Sequence, residues 1–402
     1  MPLMLRRFSA VWEIRYREDV DAVIIGGGVV GLATAWRLAQ QARAVAVWDA
    51  ARVGTEASWA GAGMLAPGGE MENRTWWGDL AIHSLGQYSE FVRELEDESG
   101  IRIDYRRCGA LELAATEEEW GLLQARAARQ SAWGIRSENA GGQKLFYPDD
   151  AAVDPRDLLR ALRAACEKRG VTFREEKPVH QIVAQAGLVT RPERAAIAVL
   201  AAGAWSSEIQ IRVDGVAIAL ERSFPIRGHL IAFAAGTGTP GPIVRQGHTY
   251  ILDRSSGITI AGSTTEQVGY LREPNPVQFA DIEARARKLM PGLESRLRCD
   301  AWIGFRPGTE SGEPQLGRLT DSPVYLAYGH YRNGILMAPA TADLLARAIT
   351  ANSQTGSISN SAHRESDLEP AGTGAAGVPA SAPVLSLRRK STAAESPETP
   401  DR

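Results

Sequence analysis

Cysteine is scarce in this chain. There are three in 402 residues, Cys108, Cys166 and Cys299, and none shares a CxxC spacing. That excludes a disulfide framework or a cysteine-rich metal site and fits a reducing compartment. No charge of one sign prevails: Lys and Arg number 45 against 48 Asp and Glu, a net charge of -3. A dedicated nucleic-acid binder is therefore not expected. Long apolar runs are also missing. The longest near-apolar stretch read from the sequence, Ala22 to Trp36, falls short of the roughly 18 residues of a spanning helix and carries four glycines. The first twenty residues, with Arg6, Arg7, Arg15 and Arg17, hold no signal-peptide core. A cytoplasmic protein without an integral membrane segment is expected. No Gly-x-Ser-x-Gly elbow and no metal-spaced His/Asp/Glu cluster appears. The last 52 residues contain no Phe, Tyr or Trp but nine Ser, nine Ala and five Pro. Such a segment cannot bury enough apolar surface to offset ordering, so residues 351–402 are expected to be a disordered tail. The stretch before Asp19 reads as an extension.

Glycine, by contrast, is plentiful at 40 residues. The β-branched run Asp21-Ala-Val-Ile-Ile25 reads as a buried parallel strand. It leads into Gly26-Gly-Gly-Val-Val-Gly31 and a helix over Val29 to Gln41, and a second strand, Ala44 to Trp48, ends at Asp49. This is a β-α-β unit carrying GxGxxG. Gly26 suits the tight turn, Gly28 the approach of a pyrophosphate, and Gly31 close helix-strand packing. The helix N-terminus favours the anion, and Asp49 can accept hydrogen bonds from a ribose. Such a motif serves NAD and FAD alike. Two further glycine regions, Ala201-Ala-Gly203-Ala-Trp-Ser206 and Gly329-His-Tyr-Arg-Asn-Gly334, and the small-residue stretch Ala57 to Pro67, suit an extended cofactor better than a lone nicotinamide.

Helices are further expected over Leu80–Glu98, from Thr116, from Asp154-Pro155 to Arg169, over Ala280–Met290 and over Ile335–Ile349. Short alternating strands between Phe224 and Ser263 predict an antiparallel sheet, hence a second domain. The fold class is α/β, α+β overall.

These residues resemble the FAD-dependent amine oxidoreductases of the D-amino-acid oxidase superfamily. Trp302-Ile-Gly-Phe-Arg306-Pro-Gly-Thr309, Gly317-Arg318, Gly329-His-Tyr-Arg332-Asn-Gly-Ile-Leu-Met-Ala-Pro339, Gly262-Ser-Thr-Thr265-Glu266 and Gly61-Ala-Gly-Met64-Leu-Ala-Pro67 are similar to its glycine oxidases of thiamine biosynthesis, over about Asp21 to Ile349. The resemblance implies a Rossmann-like FAD-binding domain (GR2-type) assembled from 19–90, 150–212 and 300–350, and a substrate domain from 91–149 and 213–299. It implies that Arg306 holds a substrate carboxylate, that Tyr250 donates to it, and that Arg332, Met64 and His248 line the pocket. Val29, Val30, Asp49, Ala57, Ser58, Ala62, Gly63, Met64 and Val179 would contact FAD. So would the run His330, Tyr331, Arg332, Asn333, Gly334, Ile335 and Leu336, with the last helix aiming partial positive charge at the reduced flavin. Thr265 and Gln315 depart from the family pattern. No cysteine stands near Arg306, so FAD is expected to be non-covalent.

The implied activity is oxidation of glycine or a small relative such as sarcosine or D-alanine. Hydride passes to flavin N5, no residue acts as an obligatory base, and O2 accepts the electrons. The implied context is supply of an imine to thiazole synthase; a homo-oligomer is expected. Two competing readings are a D-amino-acid or sarcosine dehydrogenase serving a quinone or partner subunit, and a flavin-binding subunit without turnover.

Overall fold

The computed structural model describes residues 20–236, 238–319 and 322–358. The first strand, β1 (Val20–Ile25), turns at Gly26 into helix α1 (Val29–Gln40), and β2 (Val45–Trp48) returns parallel to β1. A four-residue helix α2 (Ala57–Ala60) follows. Three longer helices are α3 (Trp76–Ser99), α4 (Glu117–Ser131) and α5 (Pro155–Lys168). Each begins at a side-chain cap: the Thr75 hydroxyl accepts from the Gly78 amide, that of Thr116 from Glu119, and the Asp154 carboxylate from Arg156.

Strand β3 (Ala195–Leu200) runs parallel to β1 on its other side, and a later strand, Val324–Tyr328, lies parallel to β3. With Thr172–Arg174 beside β2, these form the five-stranded parallel centre of a ten-stranded sheet. Its strands read as continuous β-branched and Ala runs because both faces are covered. On one face lie α1, α3 and α5, joined by the last helix, Gly334–Ile358. Trp36 and Phe91 meet edge to face at 5.4 Å between α1 and α3. Arg37 ties three helices together through Glu94 (2.7 Å) and Asp343 (2.8 Å).

The second sheet has eight strands. Its edge is built by β4 (Ser223–Phe233), β5 (Thr249–Asp253), β6 (Thr259–Gly262) and β7 (Arg298–Thr309), in the order β7-β4-β6-β5 and antiparallel throughout. Helix α6 (Pro276–Leu289) packs on one face. The strand Val324–Tyr328 is β8 and the helix Gly334–Ile358 is α7 hereafter.

Four expectations need correction. Residues 300–309 are expected with the FAD-binding part; they belong, Arg306 included, to β7, whose register against β4 runs from Ser223↔Thr309 to Phe233↔Arg298. The boundary at residue 90 cuts α3, which runs unbroken to Ser99 because Phe91, Val92 and Leu95 continue its buried face. Helix α7 reaches Ile358, eight residues into the expected tail; the rest of that tail and the extension before Asp19 lie outside the described residues. Finally, Gly334–Asn352 outlasts Ala22–Trp36 as an apolar stretch and is long and apolar enough to cross a membrane. Here it packs against α1 and α3, more than half buried, as a core helix.

Candidate functional site

A cleft of about 510 Å³ runs from the C-terminal ends of β1 and β2 to the face of β4 and β7. Its first end is built by the β1–α1 turn. Gly26 has φ +106°, and a Cβ there would lie 2.3 Å from the Ala201 carbonyl oxygen. At Gly31 a Cβ would lie 1.9 Å from the Gly26 oxygen, so helix and strand touch there. Gly28 differs, since its nearest obstacle would be the Ser58 hydroxyl at 3.3 Å, and it opens to the cleft. Behind it the Val29 amide donates to Ser58 Oγ at 3.0 Å, and no acidic side chain stands in the first turn of α1. This is a bare, positively polarised helix start with room for a phosphate.

Asp49 ends β2. Its Oδ2 accepts from the Gly27 amide at 2.7 Å and its Oδ1 from Ala51 at 2.8 Å. Each oxygen keeps a lone pair for a ribose hydroxyl. Burial pushes its carboxyl above the usual range, opposed by those two donors. Ala57, Ser58, Ala62, Gly63, Met64, Val179 and Gly203 line the same cleft, as do His330 to Ile335. Helix α2, which opens the small-residue segment, is fixed against the second sheet. Trp302 Nε1 donates to the Ala60 carbonyl at 3.0 Å, and the Arg156 guanidinium lies 3.8 Å from the Trp59 ring centre. The donor set and the glycine cradle thus fit an extended dinucleotide. None of the three cysteines lines the cleft.

Two assigned cofactor residues face elsewhere. Leu336 turns into the α1–α3–α7 core, and Gly31 packs on Gly26. His330 is in the cleft wall, buried, with Nε2 3.3 Å from Thr341 Oγ1; burial pushes its imidazole down to about 4, so it is neutral.

The far end of the cleft holds Arg306, Tyr250, Arg332 and Met64. Arg306 pairs with Ile226 across β7 and β4, and its guanidinium lies over Gly228, where a Cβ would sit 2.4 Å from Nη1. Nη1 donates to the Thr264 carbonyl (3.0 Å) and Nη2 to Ser263 Oγ (2.9 Å). No carboxylate lies within 4 Å of it among the described residues. Burial disfavours its charge, Arg332 adds repulsion, and Tyr250 opposes both. Arg332 is brought alongside by the Tyr331 amide, which donates to the Pro307 carbonyl at 3.0 Å. Tyr331 itself has φ +50°, an uncommon conformation for a bulky residue in a cleft wall.

His248 is the assigned site residue that does not join this group. It is exposed in the turn before β5 and lines a separate depression with Thr265 and Arg285. The alternation that points Tyr250 inward starts at Thr249, so it does not reach His248. Only the His248 carbonyl is linked to the site, accepting from the Ser263 amide at 3.2 Å. Conversely, Glu70 escaped the sequence reading. It lines the cleft and binds Arg332, with Oε1 3.0 Å from Nε and 2.9 Å from Nη2. A lone acid in the turn after Pro67 gives no local signal of this.

Comparison with known proteins agrees with this geometry. The model of a family described as FAD dependent oxidoreductase (DAO) matches residues 21–348. Glycine oxidase of Bacillus licheniformis is 31% identical over 354 residues, which span 84% of this chain and 94% of that protein. The bifunctional protein ThiO/ThiG of Synechocystis sp. is 35% identical over 82% of this chain and 51% of its own length. Among solved structures, glycine oxidase from Geobacillus kaustophilus superposes with a TM-score of 0.76 at 26% identity, covering 83% of this chain and 95% of that one. A family match from one end of the parallel sheet to the core of α7, over a cleft shaped for a dinucleotide, makes this chain a member of the FAD-dependent oxidoreductases of the DAO family.

Proposed function

We propose that the chain oxidises a small amino acid, glycine foremost, with sarcosine and D-alanine as further substrates, to the imine, and that O2 takes up the electrons as H2O2. When bound, FAD supplies the acceptor for the hydride leaving the amine-bearing carbon. The chain's own residues position the substrate. The observation that carries the reading is Arg306: a half-buried arginine without an acidic partner among the described residues, at the end of a cofactor cleft. Its planar fork suits a carboxylate, and a substrate as small as glycine offers no other strong handle. Tyr250, 6% exposed on β5 of the same sheet, supplies a hydroxyl donor to the same group. Neither His330, buried and neutral, nor His248, outside the cleft, is poised as a base. Loss of the amine proton to solvent before oxidation is consistent with that. The bifunctional relatives support a link of the imine product to thiazole formation. We place the chain in the cytoplasm.

The test is purification with its flavin, a visible spectrum, and a peroxide assay in air with glycine, sarcosine and several D-amino acids. Peroxide with glycine is expected. Bleaching by an amine without peroxide would favour the dehydrogenase reading, and a flavin no amine bleaches would end both.

A further inference from the structure

The end of the cleft contains two arginines, yet a substrate with one carboxylate needs only one. Arg306 is open to a ligand. Arg332 is not: both of its contacts with Glu70 fall on one oxygen, at 3.0 and 2.9 Å, and the pair is about three-quarters shielded from solvent. Glu70 is held for this. It closes the Pro67–Gly69 turn, whose Gly68 carbonyl accepts from buried Gln130 Nε2 at 2.8 Å, as does the carbonyl of Met71 beyond. Gly69 rests against the Arg245 guanidinium, where a Cβ would be 2.4 Å from Nη1. Arg245 in turn is fixed by Asp150 at 3.1 Å. A buried network thus presents a carboxylate to Arg332.

We propose that Glu70 determines substrate specificity by neutralising Arg332, so that the site accepts amines with one acid group and rejects those with two. This rests on the proposed amino-acid oxidase function and names its substrate class. The charge count gives the reason. Arg306, Arg332 and Glu70 together carry one positive charge, which one substrate carboxylate balances. Among the described residues a second carboxylate meets no free cation beside Arg306, and on the Arg332 side it faces Glu70, where like charges are costly. Without the Glu70 charge, Arg332 becomes a second anchor on the same wall.

The experiment uses the flavin-loaded enzyme and two readouts. One is the ratio of kcat/KM for iminodiacetate, a diacid amine, to that for glycine. The other is binding of the unreactive acids acetate and malonate, followed as a shift of the visible flavin band. The parent enzyme should bind acetate more tightly than malonate. In Glu70→Gln the iminodiacetate-to-glycine ratio should rise about tenfold or more, through KM rather than kcat, and malonate should gain by a similar factor. Adding Arg332→Gln should abolish both gains. Glu70→Ala gives the same expectation should the Gln variant not fold. Unchanged ratios in a variant that folds, or a parent that prefers malonate, would overturn the proposal. If the parent oxidises no amino acid, the functional reading fails, and the acetate-malonate comparison still decides the role of Glu70.

Discussion

At the scale of single residues, burial and partners decide what each group can do. Among the described residues Arg306 donates to a carbonyl and a hydroxyl, and neither neutralises its charge. Arg306→Ala should cost about 2–5 kcal/mol of substrate affinity, on the order of thirty-fold to several-thousand-fold in KM, with flavin content unchanged. Steady-state kinetics with glycine, beside the ratio of flavin to protein absorbance, checks this; an unaltered KM removes Arg306 from the site. Asp49→Ala should do the reverse and lower flavin retention, read as the same absorbance ratio after dialysis. His330 yields a pH dependence. Its folded value of about 4 lies below the roughly 6.5 of an exposed imidazole. The stabilisation from keeping it neutral is therefore full above pH 6.5 and falls away as pH drops through 4. The denaturant midpoint should fall on acidification over that window, and less steeply in His330→Gln; parallel slopes would contradict it.

At the scale of elements, what was legible in the sequence is what is decided locally. The β1-α1-β2 unit shows its period, its glycines and its acid within a short segment, and the structure returns each within a residue or two. The start of α5 is equally local, with Asp154 capping and Pro155 opening the helix. Strand β7 is the opposite case. Its sequence carries Gly304, Pro307 and Gly308, which argue against a strand, and it exists because β4 pairs with it along eleven positions. Pro307 is tolerated because β7 is the edge of the sheet. Arg306 was recognisable by motif but its setting was not, since Gly228 beneath it lies far away in the chain. The Glu70–Arg332 pair was invisible for the same reason, its partners being 262 positions apart. The crowding at Gly228 makes a sharp test of this element pair. Gly228→Ala would put a methyl 2.4 Å from the Arg306 guanidinium, so the arginine must move. The expected result is a loss of about 1–3 kcal/mol in stability and a KM raised by about tenfold or more, with flavin content retained. A normal KM would mean the guanidinium position is not what anchors the substrate.

At the scale of the whole molecule, the cleft depends on one sheet supplying the glycine cradle and the other supplying Arg306 and Tyr250. The pieces that join them, Trp302 on Ala60 and Tyr331 on Pro307, lie between the two sheets. Helix α7 serves both sides: its first residues line the cleft, and Leu345, Ala346 and Ile349 fill the core against the parallel sheet. Its final described turns are also tied down, with Asn352 Nδ2 donating to the Tyr325 hydroxyl at 3.0 Å and Thr350 Oγ1 to Gln41 Oε1 at 2.7 Å. Where the chain is cut should therefore matter. Ending it after Ile358 keeps every one of these contacts, so flavin content, turnover and Tm should match the full chain. Ending it after Ile349 removes both hydrogen bonds and the helical turns that carry them, at about 1 kcal/mol for each bond, and Tm should fall by a few degrees. Thermal unfolding of the two truncations beside the full chain separates these outcomes. Equal loss in both would mean that the fold needs residues beyond Ile358, and equal retention that α7 contributes nothing after its core face ends.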